Sequence, residues 1–163
     1  MGLDMYLYRE IYVGAQHEYR NVKGTVELTH AEDDGERTPI NVDVNKIVSI
    51  TEHLIYWRKA NAIHNWFVNK VQGGNDDCSE YNVFRSDLEE LWQICNEILN
   101  VEDKDQRDAL AMKLLPPTAG FFFGSTTTDE WYYMDLEKTR DILGKELENP
   151  KGFEISYKYQ SSW

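Results

Sequence analysis

The stretch FEISYKYQ, Phe153–Gln160, decides how this chain is read. Phe153, Ile155, Tyr157 and Tyr159 alternate with Glu154, Ser156, Lys158 and Gln160, the period-two pattern of a strand with one buried face. The far end of the chain keeps the same rhythm. In Leu3–Val13, Leu3, Met5 and Leu7 alternate with Asp4, Tyr6 and Tyr8, and Gly14 ends the run. Strands at both ends, with helical periodicity between them, predict an α+β domain in which a mixed or mainly antiparallel sheet is packed by three to four helices.

The intervening segments fill in that scheme. Lys23–His30 (KGTVELTH) and Thr38–Val44 (TPINVDV) have the β-branched content of short strands, and the charged turn Ala31–Glu36 joins them as a hairpin. Ser49 and Glu52 stand at capping-box spacing before an apolar-periodic run, which predicts a helix to about Val71, stopped by Gly73-Gly74. Its inward stripe is expected to be Leu54, Trp57, Ala60, His64, Phe67, Val68 and Val71. Tyr81–Phe84 reads as a short strand.

Ser86–Glu89 repeats the capping spacing before a strongly amphipathic helix carrying Leu88, Leu91, Trp92, Cys95, Ile98 and Leu99. A shorter helix, about Gln106–Leu115, ends at Pro116-Pro117. Gly120–Gly124 (GFFFG) suits a buried strand or a tight turn. Thr127 or Thr128 is expected to cap a last helix running to about Leu147, with Pro150–Gly152 as the turn into the closing strand. No repeat or linker divides the chain, so 1–163 reads as one domain.

Composition narrows the functional classes. The 163 residues carry 29 acidic and 17 basic side chains, a net charge of −12, which repels phosphate backbones and argues against direct nucleic-acid binding. The acids around Glu102–Asp108 and Asp135–Asp141 are interleaved with Lys104, Arg107, Lys138 and Arg140, as on ordinary solvated helix faces. No apolar run is long enough for a membrane span, and the opening residues lack the pattern of a secretory signal, so a cytoplasmic protein is expected. Cys78 and Cys95 form no Cys-x-x-Cys pair, which fits a reducing compartment.

Candidate chemistry gathers in two stretches. In Tyr56–Phe67 (YWRKANAIHNWF), a helical reading puts Trp57, Asn61, His64 and Val68 on one face. A polar group in that apolar stripe needs a partner; the alternatives are a core histidine bonded to the sheet, or a pocket where Arg58 clamps an anion and His64 donates or exchanges a proton. In Gly120–Trp131, glycines around an aromatic run lead into a hydroxyl-rich turn, where Gly124, Ser125 and Trp131 are candidate ligand contacts. Asp129 and Glu130 would oppose a phosphate there and suit a hydroxyl, an amine or a metal. A strand followed by a capped helix explains the same residues. Asp76 and Asp77 are weak metal candidates, because the spacing of a calcium-binding loop is absent. No nucleotide-binding or hydrolase motif identifies a cofactor.

The blocks MGLDMYL (Met1–Leu7), YWRKANAIHNWFV (Tyr56–Val68), VQGGNDDC (Val71–Cys78), GFFFGST…DEWYY (Gly120–Tyr133) and YQSSW (Tyr159–Trp163) resemble a family of small uncharacterised proteins carried by many tailed bacteriophages and prophages. The resemblance spans most of the chain. It implies a phage-encoded, non-virion accessory protein acting in the bacterial cytoplasm, and it carries no catalytic or ligand-binding residue with it.

Three functions are therefore open. The first is a binding module that captures a small, nucleotide-like ligand or a host factor, for example to counter host defence, using Trp57, Arg58, Asn61 and Trp131. The second is a small hydrolase or transferase with His64 paired to Asp129 or Glu130. The third is an acidic interaction protein, or nucleic-acid mimic, that occupies a basic host target.

Overall fold

The computed structural model describes residues 2–14, 28–31, 37–40, 42–120, 124–149 and 154–163. Strand β1 (Asp4–Tyr12) lies between β4 (Ser49–Arg58) and β6 (Ile155–Ser162), and β6 also pairs with the short β5 (Tyr81–Val83). Every pairing in this four-stranded sheet, ordered β4-β1-β6-β5, is antiparallel. The strands β2 (Leu28–Ala31) and β3 (Arg37–Ile40) pair antiparallel as a separate two-stranded sheet, while Lys23–Glu27 and the predicted turn Glu32–Glu36 lie outside the described residues. The third strand is shorter than the sequence suggests, and Val44–Lys46 is a turn of 3-10 helix capped by Asp43.

The described residues also hold four α-helices: α1 (Asn61–Lys70), α2 (Arg85–Leu99), α3 (Lys104–Leu114) and α4 (Glu130–Glu148). The chain is thus an α+β domain, as the terminal strands imply. Among the described residues, no helix is long and apolar enough to cross a membrane.

Alternation in the strands fixes which sheet face is buried. Leu3, Met5 and Leu7 of the first strand's side, Ile55 and Trp57 of β4, and Tyr157 and Tyr159 of β6 join Phe67, Leu88, Leu91, Leu136 and Leu143 in one core. Tyr159 stacks on Phe67 with ring centroids 3.9 Å apart and planes 7° from parallel, joining sheet to helix at the centre.

One expectation is overturned. Ser49–Arg58 is a strand, not the first half of a helix. The capping-box spacing is a local signal, and a non-local partner outcompetes it: β1 pairs with this segment from Tyr12↔Ser49 to Asp4↔Arg58, with a bulge between Leu7 and Tyr8. Ser49 Oγ donates to Glu10 on the neighbouring strand rather than turning back to cap a helix. Burial of Ile55 and Trp57 with exposure of Tyr56 is period two. Trp57 and His64 therefore share no helical face, and the helix that holds His64 begins only at Asn61.

Two caps also move. The second helix starts at Arg85, with the Asp87 carboxylate accepting from the Phe84 N–H at 2.9 Å. The last helix is capped by Asp129, not Thr127 or Thr128, because the Thr128 hydroxyl is drawn instead to Asp108 at 3.0 Å.

Candidate functional site

The corner between β4 and α1 forms one side of a cleft. Lys59 has φ of 61°, the left-handed region a lysine seldom adopts, and its N–H donates to Leu3 O at 2.8 Å. Ala60 follows at φ −76° and ψ 66°, an inverse γ-turn closed by Asn61 N–H donating to Lys59 O. This sharp turn throws the chain from the sheet edge into the helix. It leaves α1 with no side-chain cap and no acidic residue in its first turn.

Asn61 holds the opposite side of the corner. Its Nδ2 donates to Ser125 O at 2.7 Å, and its Oδ1 accepts from Thr118 N–H at 2.9 Å, so one buried amide ties down both flanks of the loop before α4. Gly124 completes the closure. It sits at φ 88°, and a Cβ there would stand 3.3 Å from Lys59 Cβ, so any other residue would strain the backbone and crowd the corner.

The result is a cleft of about 710 Å³ between the corner, the loop and the first turns of α4, a size suited to a small molecule. Arg58, Lys59, Asn61, Gly124, Ser125, Asp129 and Trp131 line it. Asp135 and Lys138 from α4 also face it, with apolar wall from Ala60, Ile63, Met134 and Leu136. Trp131, Met134, Asp135 and Lys138 recur at helical spacing on one side of α4. Trp131 is 73% exposed.

The electrostatics are divided. Arg58 lies 4.0 Å from Asp4, and Lys138 Nζ donates to Tyr56 O. Asp129 is occupied by its capping bond from Tyr132 N–H at 3.0 Å. Asp135 O accepts from Thr139 Oγ1, but its carboxylate has no hydrogen-bond or ion-pair partner among the described residues. Burial pushes its carboxyl up to about 6, with Lys138 opposing the rise and Asp129 adding to it.

The structure thus brings Arg58, Asn61, Gly124, Ser125, Trp131 and Asp129 to one cleft, and places Trp57 and His64 elsewhere. Trp57 lies in the core, with Nε1–H donating to Thr139 Oγ1 at 2.8 Å. His64 is 1% exposed; its Nδ1 is 2.8 Å from Tyr159 Oη and its Nε2 is 3.0 Å from Asp76 Oδ2. Both ring nitrogens are thereby held away from Asp129 and from the exposed Glu130. The other Asp76 oxygen accepts from Trp163 Nε1–H, and Asp77 accepts from Ser79 N–H, Asn75 and Tyr81. Among the described residues, no group of three His, Cys, Asp or Glu side chains could hold a metal. Phe121–Phe123 lie outside the described residues.

Lys59, Met134, Asp135 and Lys138 escaped the sequence reading. For the last three the signal was present: the spacing from Trp131 is that of one helix face, but a charged helix face reads first as solvated. Lys59 carried no signal, since nothing local marks a left-handed lysine. Comparison with protein-family models, curated proteins and solved structures finds no match for the chain, so its functional reading rests on the cleft itself.

Proposed function

We propose that the protein is a cytoplasmic capture protein that binds a small nucleotide-like ligand in the cleft between the β4–α1 corner and α4. The single observation that carries this reading is the polarity of that cleft. The β4–α1 side contributes Arg58, Lys59 and the uncapped start of α1, a setting that favours an anionic group such as a phosphate. The α4 side contributes the exposed Trp131 indole and Met134, an apolar shelf for a planar ring. The strained lysine backbone supports the same reading, because left-handed geometry costs about 1–2 kcal/mol and is retained where it places a useful group.

The resemblance to phage accessory proteins suggests the setting: a bacterial cytoplasm during infection, where holding a host nucleotide would blunt a defence or redirect metabolism. Isothermal titration with nucleoside monophosphates tests the reading. Wild-type protein should bind with one site, and the double variant Arg58→Ala/Lys59→Ala should lose about 10-fold or more in affinity while unfolding at the same temperature. Absence of heat with every nucleotide, or equal binding by the double variant, defeats it.

A further inference from the structure

Asp135 sits among the apolar side chains of the cleft wall, and among the described residues nothing donates to its carboxylate. Asp135 is half-buried, and a carboxylate drawn partly out of water without a compensating donor is costly. Other carboxylates of similar placement in this fold obey that rule. Glu146 takes Arg9 and Tyr157, and Asp108 takes Lys104, Thr128 and Tyr133. Asp135 departs from it where the wall opens onto the cleft.

Its neighbour strengthens the contrast. Trp131 lies four residues earlier on the same side of α4, so the indole and the carboxylate are adjacent. No described ring stacks on that indole. A flat ring resting on Trp131 would direct its edge toward Asp135, and two carboxylate oxygens match two adjacent N–H donors best. Lys138, one turn further along, has its Nζ tied to Tyr56 O and leaves the carboxylate for the ligand.

We propose that Asp135 is the specificity-determining residue of the cleft, accepting the paired N–H donors of a guanine-type base stacked on Trp131. This rests on the nucleotide reading above and adds to it which base is selected. Adenine, whose corresponding ring nitrogen is an acceptor, would face the carboxylate with a lone pair. Hypoxanthine keeps the ring N–H and lacks the exocyclic amine.

The test compares GMP, IMP and AMP by isothermal titration on wild-type protein and on Asp135→Asn, with thermal unfolding confirming that the variant folds. Wild-type protein should bind GMP about 10-fold tighter than IMP and more tightly still than AMP, and Asp135→Asn should bring GMP to the level of IMP. Trp131→Ala should weaken all three by a similar factor. If GMP, IMP and AMP bind alike, or if Asp135→Asn keeps the preference for GMP, the assignment of Asp135 fails while the cleft remains a nucleotide site. If none of the three binds wild-type protein, the nucleotide reading fails and the base assignment with it.

Discussion

Asp135 and His64 are both polar side chains set among apolar ones, and the molecule treats them in opposite ways. His64 is enclosed, with Tyr159 on one ring nitrogen and Asp76 on the other, and the chain's last residue, Trp163, holds the far oxygen of that aspartate. The Asp135 carboxylate faces the cleft with no donor among the described residues. The histidine network joins α1, the loop after it and β6. A satisfied polar group in a core is a structural device, whereas an unsatisfied one on a cleft wall is available to a ligand.

The largest effect that could break this contrast lies at His64. His64→Ala leaves a cavity and removes the partner of Tyr159 Oη and of Asp76 Oδ2, so it should destabilise the fold by about 3 kcal/mol in denaturant titration. Nucleotide affinity should hold within about 2-fold once the variant is folded. Loss of ligand binding without loss of stability would move the histidine back into the site. Tyr159→Phe keeps the stack on Phe67 and removes only the hydroxyl, for an expected loss of about 1–2 kcal/mol.

At the cleft the signs should reverse. Asp135→Asn removes an uncompensated charge and should stabilise the protein at neutral pH by about 1 kcal/mol, after allowing for screening at a partly open wall. Lys59→Gly relieves left-handed backbone and should add up to about 1 kcal/mol while weakening the ligand. A stability loss in either variant would mean that the cleft residues are structural after all.

Acid titration gives the finest comparison, between two aspartates of opposite shift. Asp108 is held down to about 2, first by Lys104 and then by Tyr133. Its contribution is present above its ordinary value of 3.8 and is lost as pH falls through about 2. Asp135 is raised to about 6, so its contribution is present below 3.8 and is lost as pH rises through about 6. Unfolding midpoints measured across pH should lose their slope between about 4 and 6 in Asp135→Asn, and between about 2 and 4 in Asp108→Asn.

How much of this could be read from the residues alone depends on how local each signal was. The strands at the two ends were legible because alternation is written residue by residue, and α2 because its apolar side chains recur at helical spacing. Ser49–Arg58 was misread because it contains a local helix-start signal that its strand partner, some forty residues away in sequence, overrides. Within the site, Arg58, Asn61, Gly124, Ser125 and Trp131 stood out by type, and their meeting in one cleft did not. His64 stood out equally, and only the positions of Tyr159 and Asp76 show that it is spoken for.

By itself, then, the sequence determined an acidic α+β domain bounded by two half-buried strands, because composition and periodicity are properties of short windows. The tertiary structure alone decided that β4 is a strand, that Lys59 turns a left-handed corner beside Gly124, and that the Asp135 carboxylate has no donor among the described residues. Each of those depends on a partner distant in the chain, and whether a polar group is satisfied is decided only by what folding brings within hydrogen-bonding reach.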